Sequence, residues 1–237
     1  MDILTEGCQG LGIHLTEEQE QQFMDYYHLL LEWNSRMNLT GITEYEDVMK
    51  KHFLDSLCIV QSSVLDLSQV HKVIDVGTGA GFPGIPLKIV FPHIQLVLLD
   101  SLNKRIRFLD AVKDALGLKD VLAIHGRAEE CGRDKRYREQ FDLCVSRAVA
   151  HMAVLSEYCL PLVKLKGFFV AYKSDKIQEE MDSSKRAIRS LGGTVKDRSD
   201  LMIPGSDIHR ALIYIKKTQR TSGKYPRKNG VPGKMPL

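Results

Sequence analysis

The stretch Asp75-Val76-Gly77-Thr78-Gly79-Ala80-Gly81-Phe82-Pro83-Gly84 carries the residue types of a ligand-binding loop. Glycines at 77, 79 and 81 let the chain turn sharply and bring backbone close to a bound molecule. Pro83 suits the first turn of a following helix, where its missing N–H loses no bond. One ligand class for such a loop is a dinucleotide, with its pyrophosphate on the helix N-terminus and GxGxxG spacing. Here the third glycine comes one residue early, and Phe82 stands where that pattern wants glycine. Asp75, at the end of the preceding strand, would repel a pyrophosphate and attract an ammonium. S-adenosylmethionine has no phosphate. It has an α-amino group, a carboxylate, a sulfonium and an adenosine, so the loop suits it better than NAD. Asp75, Gly77 and Gly79 are the candidate cofactor contacts here.

Two later acids extend the site. Asp100 lies 23 residues after Gly77, where an acid partners a ribose diol. Both cofactors have that diol, so Asp100 does not separate them, and its alternative role is to cap the helix near Leu102. His125-Gly126-Arg127-Ala128-Glu129-Glu130 follows the third strand. The backbone of Ala128 and Glu129 is placed there to read adenine; the competing reading makes Glu129 a first-turn helix acid.

The residues after the fourth strand bear on the reaction. Methylation of base amino groups typically uses an Asn/Asp-Pro-Pro-aromatic turn there, and pyrimidine carbon methylation a Pro-Cys nucleophile. The chain has Cys144-Val145-Ser146-Arg147-Ala148-Val149 instead, with Cys144 reading as core. Guanine N7 is a lone-pair acceptor in the major groove. It carries no proton at neutral pH, so methyl transfer to it needs no general base, and in-line placement does most of the work. Arg147 is a candidate for holding the methionine carboxylate or an RNA phosphate; the alternative is a surface ion pair.

The elements that must position these residues are α/β. Short apolar runs at 73–76, 94–99, 121–124, 141–145 and 167–172 read as strands. Helix-like segments lie between them at 84–91, 102–116, 127–137 and 152–163. Such alternation implies parallel βαβ units in a doubly wound, Rossmann-like sheet. A helix over 175–191 and strands near 194–200 and 211–217 add an antiparallel edge. Ahead of the sheet, Thr16 with Gln19 and Thr43 with Glu46 have capping-box spacing, and residues 1–68 read as a helical extension. The core is assigned to 69–218 and an extended tail to 219–237.

The 237 residues carry a net charge of +3, 43% apolar and 27% charged residues, which is ordinary for a soluble globular chain. Seven basic residues and no acid follow position 215, which leaves the first 215 residues at about −4. A basic arm of this kind commonly engages polyanions, with Lys224, Arg227, Lys228 and Lys234 as candidate contacts, against a simple solvated end. The amino terminus lacks a basic signal-peptide region, and no uncharged run approaches the roughly 20 residues that span a bilayer. Five scattered cysteines without CxxC spacing argue for free thiols in a reducing cytoplasm and against a zinc site.

Taken together these motifs resemble the ribosomal RNA small-subunit methyltransferase G family, also called glucose-inhibited division protein B. The leader strings are Trp33-Asn34-Ser35-Arg36-Met37-Asn38-Leu39-Thr40 and His52-Phe53-Leu54-Asp55-Ser56-Leu57. The core carries the glycine loop, Gly126-Arg127-Ala128-Glu129 and Ser146-Arg147-Ala148, and the tail runs from Lys224-Tyr225-Pro226-Arg227-Lys228 to the end. The resemblance implies a class I methyltransferase fold and N7-methylation of one guanine in 16S ribosomal RNA, with S-adenosylmethionine as donor and S-adenosylhomocysteine as product. It implies cofactor contacts at Gly77, Phe82, Ala128, Glu129 and Arg147. The partner is 16S RNA or the small ribosomal subunit, with no membrane and no obligatory protein partner. The tail has Gly233 where the family often has a basic residue. Arg36 and His52, polar in an otherwise apolar leader, are candidates for holding the target nucleotide. The alternatives are a helix stop at Asn38-Leu39-Thr40 and a helix-face hydrogen bond between His52 and Asp55. Rival functions are an NAD-dependent oxidoreductase and an RNA-assembly factor without turnover.

Overall fold

The computed structural model describes residues 2–147 and 150–237. Ala148 and Val149, which belong to two of the strings above, lie outside them. Seven strands form one sheet in the order β3-β2-β1-β4-β5-β7-β6. β1 (Lys72–Val76) is an inner strand and pairs in parallel with β2 (Gln95–Asp100) and β4 (Phe141–Ser146). β3 (Val121–His125) lies outside β2, and β5 (Val163–Lys173) outside β4. β7 (His209–Lys217) then pairs antiparallel with β5, and β6 (Gly193–Met202) antiparallel with β7. The chain leaves β1 on one side through β2 and β3 and resumes on the other at β4. That reversal opens a crevice beyond the carboxyl ends of the strands.

Two apolar clusters cover the two faces of the sheet. One joins Val73, Leu98, Leu143 and Tyr214 to Leu4, Phe23, Tyr26, Leu30 and Phe53. The leader therefore lays its apolar stripe on the sheet beside α5 (Gly84–Val90) and α6 (Asn103–Ala115). The other joins Ile74, Cys144, Phe169 and Ile213 to α7 (Ala128–Cys131), α8 (Met152–Cys159) and α9 (Gln178–Ser190). All five cysteines are buried free thiols. Among the described residues no helix is long and apolar enough to cross a membrane.

The leader holds α1 (Ile3–Gly10), α2 (Glu17–Met37), α3 (Tyr45–Val48), a π-helical turn over Met49–Leu54, and α4 (Asp55–Leu57). The expected Thr16/Gln19 box caps α2, and Asn38, at φ 50°, ends it in the left-handed conformation. Three expectations need correcting. Thr43 caps nothing: α3 begins after Glu44 without a side-chain cap. The helix expected over 127–137 is only the four residues of α7. The tail is packed rather than loose, with Tyr225 buried and a last helical turn, α10, at Val231–Lys234.

Candidate active site

The loop leaves β1 through Gly77 (φ 71°) and Gly79 (φ 62°), a left-handed region that favours glycine. The Gly77 N–H donates to the Leu99 carbonyl at 2.9 Å, which ties the loop to β2. Asp75 lies wholly buried beneath it. Its Oδ2 accepts from Thr78 Oγ1 at 2.7 Å and from the Gly84 N–H at 2.9 Å, while Oδ1 has no partner. Burial pushes the Asp75 carboxyl up to about 6. Asp75 therefore braces the loop from below. It is not among the residues that line the cleft. Pro83 stands one residue before α5 rather than inside its first turn.

A cleft of about 240 Å³ opens beyond the ends of β1, β2 and β3. Val76, Leu99, Ala128 and Leu155 give it apolar walls, Gly77 brings backbone to it, and Asp100, Glu129, Arg105 and Arg127 are its polar groups. Asp100 fills the capping role considered for it, with Oδ1 accepting the Leu102 N–H at 2.9 Å, while Oδ2 accepts from the Gly79 N–H at 2.9 Å and ties the loop to the end of β2. Arg105 adds an ion pair at 3.1 Å. Glu129 is buried, and its Oε1 accepts the Gly230 N–H of the tail at 2.9 Å.

Arg147, at the end of β4, does not line this cleft. It turns into the leader. Its NH1 donates to Asp55 Oδ2 at 2.8 Å and to the Lys51 carbonyl at 3.0 Å. Its NH2 lies 3.2 Å from His52 Nδ1 and its guanidinium carbon 5.0 Å from the Phe82 ring centroid. Arg210, from β7, grips the same carboxylate at 2.6 and 3.0 Å. With Asp55 fully buried and Arg147 only 16% exposed, this is an interior pair and not the surface pair considered above. His52 stacks on Phe82 at 4.5 Å and 16°. A guanidinium can only donate, so His52 Nδ1 is the acceptor and Nε2–H donates to Thr40 Oγ1 at 2.9 Å. Burial, then the Arg147 charge, lowers the His52 pKa to about 3, so its ring is neutral.

The structure thus gathers Gly77, Asp100, Ala128 and Glu129 around the cleft, with Gly79 held against Asp100, and gathers Phe82, His52 and Arg147 beside it. It leaves Arg36 apart: that side chain is exposed and 3.8 Å from Glu32 on its own helix. The expected His52–Asp55 bond is replaced by a bridge through Arg147. In the tail Lys228 and Lys234 are exposed, and Lys224 lies over the Tyr225 ring. Arg227 does not fit a phosphate contact. It closes a bidentate pair with the buried Glu157 at 2.6–3.1 Å. Sequence reasoning missed Tyr26, whose hydroxyl donates to the Ala80 carbonyl in the loop, and it missed the second arginine, Arg210. Nothing in their local sequence marks either one.

The walls suit an adenosine and the two carboxylates suit ribose hydroxyls and a sulfonium. The strand order is that of the nucleoside-binding α/β sheets, and together these define a methyltransferase of the S-adenosylmethionine-dependent class. The sequence profile described as GidB, rRNA small subunit methyltransferase G, matches residues 19–204. The chain belongs to that family. It is 54% identical over 99% of its length to the ribosomal RNA small subunit methyltransferase G of Alkaliphilus metalliredigens, covering 98% of that protein. It is 52% identical over its full length to the protein of the same name from Alkaliphilus oremlandii, again covering 98%. Among solved structures, a chain from the complex of the Haloferax volcanii Trm112 methyltransferase activator with its methyltransferase superposes with a TM-score of 0.58. That match has 14% identity and covers 79% of this chain and 97% of that one. The Methanococcus jannaschii fibrillarin pre-rRNA processing protein gives 0.53 at 13% identity, over 68% and 73%. The two superpositions show the shared fold. The oxidoreductase reading falls with the family assignment.

Proposed function

We propose that this protein transfers a methyl group from S-adenosylmethionine to N7 of one guanine in 16S RNA of the small ribosomal subunit, in the cytoplasm. When bound, the cofactor supplies an electrophilic methyl group on a sulfonium. Asp100 accepts the ribose hydroxyls, Ala128 and Glu129 flank the adenine, and Gly77 and Gly79 admit the donor close to the backbone. Arg147 and Arg210 share the single negative charge of Asp55 beside a neutral His52, so one positive charge is left over there. That charge suits the methionine carboxylate or an RNA phosphate, with Phe82 fixing the guanidinium plane. Lys224, Lys228 and Lys234 supply the tail's phosphate contacts. In this reading 1–68 is a leader that braces the loop, 69–218 the catalytic core and 219–237 an RNA-facing tail.

One observation carries the choice of N7. His52 is the imidazole beside the loop, and both of its ring nitrogens are engaged while its pKa is lowered to about 3. It does not serve as a general base near neutral pH, and a proton-free acceptor such as N7 asks for none. The test is transfer from tritiated cofactor to small subunits, with the product nucleoside identified. N7-methylguanosine is the expected product; an N2- or carbon-methylated base refutes the reading.

A further inference from the structure

The last dozen residues do more than hang a charge on the surface. Arg138 donates to the carbonyls of Thr221 and Tyr225 at 2.7 and 2.8 Å, which anchors the start of the tail. Arg227 then binds Glu157 of α8 through its backbone N–H at 2.7 Å as well as through its guanidinium. Asn229 donates to Glu130 of α7 at 2.6 Å, and the Gly230 N–H to Glu129 at 2.9 Å. The approach to α7 is close: a Cβ on Gly132 would stand 2.9 Å from the Pro226 ring. α7 and α8 are the two helices that carry Ala128, Glu129, Leu155 and Tyr158 into the cleft. α7 is a single turn and has little helix of its own to hold it.

We propose that residues 225–234 form a strap that positions Glu129 and holds α7 against α8, so that cofactor affinity depends on the tail in the absence of any RNA. Arg227 and Asn229 are its positioning residues. This inference rests on the reading of the cleft as the cofactor site. On removal of the tail Glu129 would lose the donor that fixes its Oε1, and cofactor binding would weaken along with RNA binding.

The test is calorimetric titration of RNA-free protein with S-adenosylhomocysteine, for the full chain and for Arg227→Ala, Arg227→Lys and Asn229→Ala. Hydrogen exchange over 128–133 and thermal melting are read in parallel. Arg227→Ala frees the strap from α8 and is expected to raise Kd about tenfold, the effect of losing the one hydrogen bond from Gly230 to the Glu129 carboxylate. Arg227→Lys should recover part of that loss. Asn229→Ala, which removes the exposed side-chain bond to Glu130, should shift Kd in the same direction and speed exchange over 128–133. If the full chain binds and both alanine variants bind within about twofold of it, the strap is refuted. It is also refuted if affinity falls only in step with the folded fraction and Arg227→Lys is no better than Arg227→Ala. If the full chain itself does not bind, the cleft reading beneath the inference is wrong.

Discussion

Asp55→Asn is the substitution with the largest expected effect on the fold. The carboxylate is fully buried and takes hydrogen bonds from two guanidiniums, Arg147 of β4 and Arg210 of β7, while sitting on the leader itself. It therefore pins three parts of the chain to one point. Asparagine keeps the shape but loses the charge, and its amide sets a donor against a donor. Breaking a buried ion pair by removing one partner costs about 3–5 kcal/mol. The two arginine side chains are 16% and 21% exposed, so water recovers part of that loss and the lower end, about 3 kcal/mol, applies. For a chain of this length each kcal/mol moves the melting midpoint by about 2–4 °C, so Tm should fall by roughly 6–12 °C. Thermal unfolding followed by circular dichroism reads it directly. Glu46→Gln, which breaks the exposed Lys50–Glu46 pair, is the control and should cost no more than about 0.5 kcal/mol. An Asp55→Asn midpoint within about 2 °C of the parent refutes the reasoning.

Two buried groups give opposite pH slopes. Asp75 is raised to about 6, so its folded form binds the proton first, and its contribution to stability falls as pH rises from about 4 to 6. His52 is lowered to about 3, so its unfolded form binds the proton first, and stability falls as pH drops below about 6.5. Urea melts from pH 4 to 7 should show Asp75→Asn steepening the loss of stability in acid and His52→Asn relieving it; the reverse order overturns both assignments. Tyr26→Phe strips the Ala80 carbonyl of its donor inside the loop. It should raise the cofactor KM about fivefold to tenfold, and an unchanged KM would show that the leader does not brace the loop. Replacing Lys224, Lys228 and Lys234 together by alanine should reduce the slope of log K against log salt for RNA binding by about 2–3; an unchanged slope removes the tail from the RNA interface.

The inner parallel strands were legible because they are largely buried on both faces and read as plain apolar runs, such as Val73-Ile74 in β1 and Leu96 to Leu99 in β2. The glycine loop was legible for a similar reason: its backbone needs positive φ at Gly77 and Gly79, and glycine supplies it. Side-chain partners were harder to read. Spacing places Asp75 under the loop but does not show that its carboxylate takes the Thr78 hydroxyl and the Gly84 N–H. The interior partners of Arg147 leave no local mark: Asp55 lies 92 residues away in the leader, and Arg210, which shares that carboxylate, comes from β7. Arg227 looked like one more basic residue in an acid-free stretch; its acid, Glu157, is 70 residues earlier on α8. Arg127 to Tyr137 has helical composition, yet α7 stops after four residues at Gly132, against which Pro226 of the tail packs closely.

The central claim is tested most directly on the RNA itself. In 16S RNA from cells lacking this protein, chemical mapping of N7-methylguanine should show one site lost, and incubation of the purified small subunits with this protein and S-adenosylmethionine should restore that site and no other. An N7-methylation pattern identical with and without the protein, or restoration of a methyl group at another atom, contradicts the account.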